Sequence, residues 1–196
     1  MVIKKVKLGG YGHTVEIDES KFGRRKHHRG HRVEGQWVFG GYERETGNVF
    51  MVPVEKRDAT TLLNVIKEWI KPGTTIISDC WKAYNTLNNE GYVHMTVNHS
   101  LHFKDPETGV HSNSIETSWR HAKASMSNYC RKKKFFAGYL AKHMFTKHCR
   151  IYNLDPTAEF FKNAGRLYHK DNENVIFNDG RGGDDDDDDD GNDEEL

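Results

Sequence analysis

Three acidic residues stand where a protein could hold metal ions. Asp18 closes the alternating segment HTVEID, Asp79 ends the apolar run TTIISD, and Glu116 lies in SIETSWRHAKASM, whose apolar residues have helical spacing. A charge at the end of a buried strand is costly unless it is paired or bound, so each acid is a cap or a ligand. Three neighbouring carboxylates repel one another, and oxygen ligands without thiolates suit Mg²⁺ or Mn²⁺. The residues therefore predict a site for two such ions, suited to phosphodiester displacement.

Each acid also has an ordinary structural interpretation. Asp18 could pair with Arg24 or Arg25, Asp79 could cap a following helix, and Glu116 could be a first-turn acid favoured by the helix dipole. Other acids downstream of Asp79 lack an apolar stripe to fix their direction: Glu90 and Glu107.

The segment that carries Glu116 predicts a two-sided helix. Its apolar stripe consists of Ile115, Trp119, Ala122 and Met126. Asn113, Arg120 and Lys123 lie at −3, +4 and +7 from Glu116, on the same face and away from that stripe. Beside a metal site this polar face would hold DNA phosphates, although an ordinary exposed helix would also show a Glu–Arg pair.

The charge distribution predicts an anionic partner. The chain has 29 basic and 29 acidic residues, but ten acids lie at 184–196, which contains no Lys or Arg. Residues 1–183 therefore carry 29 basic against 19 acidic residues, an excess of ten. This excess of basic residues favours nucleic acid as the partner. The alternative is a solvated surface of mixed charges that binds no anion. The loop RRKHHRGHR is predicted to bind phosphates rather than metal through Arg24, Arg25, Lys26 and Arg29, and RKKK at 131–134 is a second basic tract.

The order of the predicted elements indicates an α/β fold. Strands are expected at 13–20, 36–45, 48–56, 74–79 and 91–99, and helices at 58–73, 81–87, 114–126 and 134–150. Thr60 or Thr61 is expected to cap the first helix. The order is similar to that of the ribonuclease-H-like fold, a mixed sheet flanked by helices. If the first and fourth strands are parallel neighbours, Asp18 and Asp79 meet at one sheet edge, where α/β proteins place active sites.

Several segments resemble the DDE transposase domain of the insertion-sequence XO group and of the related Merlin elements. They are VEIDESKFGRRK, WVFGGYERETG, PGTTIISDCWKAY and TVNHSLHFKDPETGVHSNSIETSWRHAK, and the match runs from about 12 to 150. The resemblance implies metal-dependent DNA cleavage and strand transfer at element ends. It places the family's acids on Asp18, Asp79 and Glu116 and its basic residue on Lys123. It also selects Asp18 over Glu19, which strand alternation alone leaves open.

The resemblance suggests an organisation and partners for the chain. We expect an N-terminal lead at 1–11, a catalytic domain at 12–155, a C-terminal extension at 156–179 and a disordered acidic tail at 180–196. The expected partner is double-stranded DNA, both as transposon ends and as target DNA. The resemblance is also compatible with a homo-oligomer. Family members usually have an upstream region that recognises element ends, and only about a dozen residues precede the first motif here, so a fragment, decayed copy or host-adopted domain is expected. The alternatives are a transposase-derived protein that binds DNA without cutting it, and an unrelated ribonuclease-H-like nuclease.

Three further features bear on location and binding. No apolar run is long enough for a membrane span, so no membrane partner is expected. Three cysteines without paired spacing favour a reducing compartment. The Merlin-like resemblance and the basic tracts predict a nuclear location in a eukaryotic host and a cytoplasmic one in a bacterium. Trp81 and Tyr84 could stack on a base, but core packing is the commoner role of such residues.

Overall fold

The structure is a computed structural model that describes residues 6–23, 35–97, 113–126 and 133–167. The strands are β1 (Thr14–Phe22), β2 (Gln36–Glu43), β3 (Val49–Val54), β4 (Thr75–Asp79) and β5 (Val93–Val97). The α-helices are α1 (Ala59–Trp69), α2 (Asn113–Ser125), α3 (Phe136–Ile151) and α4 (Pro156–Leu167). Short 3₁₀ helices span Lys82–Tyr84, Leu87–Glu90 and Lys133–Phe135.

The five strands form one mixed sheet in the order β3-β2-β1-β4-β5. The first three strands pair antiparallel, whereas β4 pairs parallel with both β1 and β5. The central strand β1 is thus the parallel neighbour of β4, as the argument from the sequence required. This order, with helices on both faces, is that of the ribonuclease-H-like fold and confirms the predicted fold class.

The alternation of β1 separates two apolar cores. Val15 and Ile17 pack in a cluster with Leu62 and Ile66 of α1 on one face of the sheet. On the other face, Phe22 packs in a cluster that includes Trp119 of α2 and Leu140 of α3. The even-numbered residues of β1 therefore face α2, and the odd-numbered residues face the side of α1.

The start of α1 differs from the sequence prediction. Asp58 is the N-cap, and its Oδ1 accepts a hydrogen bond from the Thr61 backbone N–H at 2.8 Å. That hydrogen bond lowers the pKa of Asp58. The prediction of Thr60 or Thr61 as the cap is wrong because both residues already lie inside the helix, where they have helical backbone geometry.

Of the two C-terminal helices, the sequence predicted α3 but not α4. Helix α3 occupies nearly the predicted span, whereas no helix was predicted at Pro156–Leu167. Asp155 accepts a hydrogen bond from the Ala158 N–H at 2.6 Å, and Pro156 occupies the first helical position, where proline is favoured.

The predicted acidic tail lies outside the described residues. Among the helices that the structure describes, none is long and apolar enough to cross a membrane.

Candidate active site

The register between β1 and β4 sets the relative positions of Asp18 and Asp79. Thr14 pairs with Thr75, and Glu16 pairs with Ile77. Two residues further along, Asp18 and Asp79 lie at the same level of neighbouring strands. Asp79 is the last residue of β4, as predicted. Asp18 is not at the end of its strand, because β1 continues to Phe22 through its pairing with β2 after the pairing with β4 has stopped.

Asp18 is held by a residue of α2. The Trp119 indole N–H donates a hydrogen bond to Asp18 Oδ2 at 2.9 Å. Gly40 is the cross-strand partner of Asp18, and a side-chain carbon at Gly40 would lie 2.5 Å from the Trp119 ring. The indole therefore reaches Asp18 because Gly40 leaves room for it. The sequence analysis predicted neither the hydrogen bond from Trp119 to Asp18 nor the role of Gly40 in making room for the indole.

Burial raises the pKa of Asp18 to about 6. The hydrogen bond from Trp119 acts in the opposite direction, and the negative charges of Asp79 and Glu116 raise the pKa further. Asp79 and Glu116 therefore both lie within electrostatic reach of Asp18. A cation placed among them would favour the ionised form of Asp18.

A fourth acid, Glu16, positions the helix that carries Glu116. Glu16 is fully buried, and its Oε2 accepts hydrogen bonds from the backbone N–H groups of Ser114 and Ile115, each at 3.0 Å. Its Oε1 accepts a 2.7 Å hydrogen bond from Arg44 Nε. These contacts satisfy donors at the first turn of α2. The sequence contained a signal for this role, since Glu16 and Asp18 are two residues apart and therefore lie on the same face of β1.

Glu116 itself is exposed on α2. Ile115 and Trp119 of the same helix are buried, which fixes the orientation of the helix on the sheet. Lys123 lies near Asp18, where its Nζ donates a 2.7 Å hydrogen bond to Ser20 Oγ and sits 5.2 Å from the centre of the Phe22 ring. Burial lowers the pKa of Lys123, and the charge of Asp18 opposes that shift.

The remaining predicted DNA contacts divide into two groups. Asn113 and Arg120 are exposed on α2 beside Glu116, as the helical spacing required. The basic loop lies outside the described residues, and with it Arg24, Arg25, Lys26 and Arg29.

Asp79 is not the cap of the short helix that follows it, because the N-cap of Lys82–Tyr84 is Trp81 and no side chain caps that helix. Asp79 Oδ1 accepts a hydrogen bond from the Trp81 backbone N–H at 3.1 Å. This contact uses one of the two carboxylate oxygens, and the side chain is exposed. This hydrogen bond and metal binding are therefore compatible at Asp79.

Glu19 lies on the opposite face of β1 from Asp18. The Tyr84 hydroxyl donates a hydrogen bond to Glu19 Oε1. Burial raises the pKa of Glu19 to about 7, the bond from Tyr84 opposes the shift, and the charges of Asp18 and Asp79 add to it. Strand alternation thus separates the two neighbouring acids, with Asp18 on the side of Glu116 and Glu19 on the side of Tyr84.

The donor set of Asp18, Asp79 and Glu116 fits divalent cations that prefer oxygen ligands. The three carboxylates stand further apart than a closed ion site requires. Within residues 6–23, 35–97, 113–126 and 133–167, one trio of potential ligands has all its atoms within 4.8 Å of one another, and it is His13, Glu43 and Glu45.

The trio of His13, Glu43 and Glu45 lies at the other end of β1 and already has protein partners. Glu43 Oε1 accepts hydrogen bonds from the Gly9 N–H at 2.7 Å and pairs with His13 Nδ1 at 2.9 Å. Glu45 Oε2 accepts one from the Thr14 N–H at 3.0 Å. These contacts anchor the segment before β1.

The sheet order and its flanking helices define a domain of the ribonuclease-H-like class. Residues 7–147 match the model of the ISXO2-like transposase domain, and the chain belongs to that family. The family predicted from the sequence motifs is thereby confirmed. A transposase-like protein of Haemophilus influenzae is 31% identical over 81 residues, which are 41% of this chain and 64% of that protein. The chain thus spans less than two thirds of this relative's length.

Retroviral integrase cores have a similar chain path. The catalytic core domain of BIV integrase gives a TM-score of 0.49 at 12% identity, over 79% of this chain and 97% of that one. The HTLV-2 integrase catalytic core in complex with magnesium gives 0.45 at 13% identity, over 71% and 88%. These similarities concern the fold alone.

Proposed function

We propose that the chain is a transposase catalytic domain that cleaves DNA phosphodiester bonds and transfers the strand ends with two Mg²⁺ or Mn²⁺ ions. The observation that supports this most is the electrostatic coupling at Asp18, whose pKa, already raised by burial, is raised further by the charges of Asp79 and Glu116. The positions of Asp18 and Asp79 on neighbouring parallel strands, with Glu116 on the exposed face of α2, support the proposal. Family membership supports the same reaction class.

Each residue of the site has a distinct part in the proposal. Asp18, Asp79 and Glu116 would hold the ions, which when bound activate a water or a 3′-hydroxyl and stabilise the leaving oxygen. Trp119 keeps one oxygen of Asp18 in a fixed orientation. Lys123, close to Asp18, would hold a DNA phosphate, and Arg120 and Asn113 would extend that contact along the exposed face of α2.

The test is metal-dependent nicking of supercoiled DNA by the full chain. We expect nicking with Mn²⁺, none in a chelator, and a loss of at least about a hundredfold in Asp79→Asn, by analogy with the removal of one group that stabilises a transition state. Glu90→Gln serves as the matched control, since Glu90 pairs with Lys67 at 2.6 Å on α1. Nicking that persists in Asp79→Asn, or is equally lost in Glu90→Gln, would overturn the assignment.

One observation favours the second candidate, a transposase-derived protein that binds DNA without cutting it. The three carboxylates do not form a closed trio within 4.8 Å, whereas His13, Glu43 and Glu45 do. The same assay separates the two functions. Salt-sensitive DNA binding by a folded chain that gives no nicking with Mn²⁺ would establish binding without cleavage.

A further inference from the structure

Cationic and aromatic side chains alternate across the sheet on the face opposite α2. Lys21 Nζ lies 5.6 Å from the centre of the Trp37 ring, and the Arg57 guanidinium lies 3.7 Å from the same ring. The same guanidinium lies 5.5 Å from the centre of the Trp81 ring. We call these four residues the aromatic–cation surface. It joins β1, β2, the segment after β3 and the segment after β4.

This surface borders the candidate active site. The Trp81 backbone N–H donates the hydrogen bond to Asp79 Oδ1, so the indole is two residues from a proposed metal ligand. Lys21 is the cross-strand partner of Trp37 and shares a face of β1 with Glu19. Arg57 lies within electrostatic reach of Glu19. The surface therefore adjoins Asp79 and lies on the opposite face of the sheet from Asp18 and α2.

Core packing accounts fully for Tyr84 but only in part for Trp37 and Trp81. Tyr84 is buried at 1% exposure and donates to Glu19, so the structure gives it a packing role. Trp37 and Trp81 are only partly buried against the core. The two cations that approach these rings, Lys21 and Arg57, are exposed, and so are their basic sequence neighbours Lys56 and Lys82.

Rings among cations match the chemistry of an unpaired nucleic-acid strand. Bases stack on aromatic side chains, while Lys and Arg pair with the phosphates between them. A double helix offers phosphates but no exposed base faces, so a partly exposed indole gains little from it. The combination favours single-stranded DNA over an intact duplex.

We propose that the aromatic–cation surface binds the unpaired DNA strand next to the cleaved bond, with a base stacked on Trp81 and phosphates on Arg57 and Lys21. The inference rests on the proposed function for the position of that bond. It adds a substrate feature, a short single-stranded overhang or opened end, that duplex binding by α2 does not require.

The test compares two labelled DNAs by fluorescence anisotropy, in chelator and at fixed salt. One is a blunt duplex, and the other has the same sequence with a short single-stranded overhang, prepared with either polarity. Because Leu cannot stack on a base, Trp81→Leu should weaken binding of at least one overhang DNA about tenfold or more. Because Phe still offers an aromatic face, Trp81→Phe should retain most of that affinity. Blunt-duplex affinity should be unchanged by both substitutions.

Matched controls lie at the other end of the sheet. Tyr11 lies before β1 and is 90% exposed, so Tyr11→Leu is the control for Trp81→Leu. Lys71 is also exposed, so Lys71→Ala is the control for Arg57→Ala. Arg57→Ala should weaken overhang binding and Lys71→Ala should not. Equal losses on both DNAs, or no loss in Trp81→Leu and Arg57→Ala at wild-type thermal stability, would overturn the proposal.

The binding assay is independent of cleavage. If the wild type gives no metal-dependent nicking but Trp81 and Arg57 still confer overhang selectivity, the proposed reaction fails and the single-strand site stands. If nicking occurs and overhang selectivity is absent, the reaction stands and this inference fails.

Discussion

The indole N–H of Trp119 donates a 2.9 Å hydrogen bond to Asp18 Oδ2, which ties a buried helix residue to a carboxylate of the central strand. The glycine opposite Asp18, Gly40, leaves the space that the indole fills. Packing of α2 and the orientation of Asp18 are therefore one structural arrangement. A change in the helix core should alter the chemistry of the carboxylate.

The first prediction concerns Trp119→Phe. The phenyl ring keeps most of the packing but removes a hydrogen bond to a charged acceptor, so we expect a loss of stability of about 1.5–3 kcal/mol in denaturant unfolding at neutral pH. Because that bond lowers the pKa of Asp18, its removal should move the pKa above about 6. The acidic limb of the nicking profile should then shift to higher pH, with activity recovering at alkaline pH.

A control separates this effect from a general loss of packing. Trp69 is stacked on Phe50 in the other core, with ring centres 5.5 Å apart. Trp69→Phe should lower stability and leave the pH profile where it was. A Trp119→Phe profile that falls equally at every pH would show that the hydrogen bond does not control Asp18.

The second prediction is the pH dependence of stability without metal. The pKa of Asp18 is about 6 in the folded state against 3.8 as the ordinary value, so the folded state binds the proton more tightly. Stability from this group is therefore greatest below about pH 4 and falls as the pH rises to about 6. Glu19, with a pKa of about 7 against 4.5, extends the fall to about pH 7.

Asp18→Asn should remove the cost of ionising Asp18. In chelator at pH 7.5 we expect a gain of about 1–3 kcal/mol in the free energy of unfolding, with little difference at pH 4. Exposed Glu55→Gln is the control and should stay within about 0.5 kcal/mol of wild type. Lower stability of Asp18→Asn at pH 7.5 would contradict the assigned environment.

The third prediction concerns Glu16→Gln. The carboxylate accepts from two backbone N–H groups of α2 and from Arg44, and an amide cannot replace both oxygens as acceptors. We expect a loss of about 2–4 kcal/mol, since Arg44 would lose its buried partner. Amide hydrogen exchange at the start of α2 should increase more than in β5. Uniform exchange changes would argue against a local role in holding the helix.

The sequence predicted the positions set by local periodicity. The apolar stripe of α2 placed Glu116, Arg120 and Lys123 on its exposed face, and the run TTIISD placed Asp79 at the end of β4. Both follow from the repeat lengths of helix and strand.

Contacts between distant segments could not be predicted in this way. Glu16 meets the Ser114 N–H 98 residues away, and Lys21 approaches Trp37 only because β1 pairs with β2. The choice between Asp18 and Glu19 also depends on which face of β1 meets α2. A single sequence contains the alternation but not the identity of the covering element.

The last prediction locates the metal. An ion that binds only the folded chain stabilises it by about 2.7 kcal/mol at a hundredfold excess over the dissociation constant. Mn²⁺ should therefore raise the melting temperature of the wild type, and Asp79→Asn should abolish most of that shift. His13→Ala tests the second trio and should keep the shift, because the oxygens of Glu43 and Glu45 accept backbone hydrogen bonds. A shift that survives Asp79→Asn and disappears in His13→Ala would place the ion at the other end of β1.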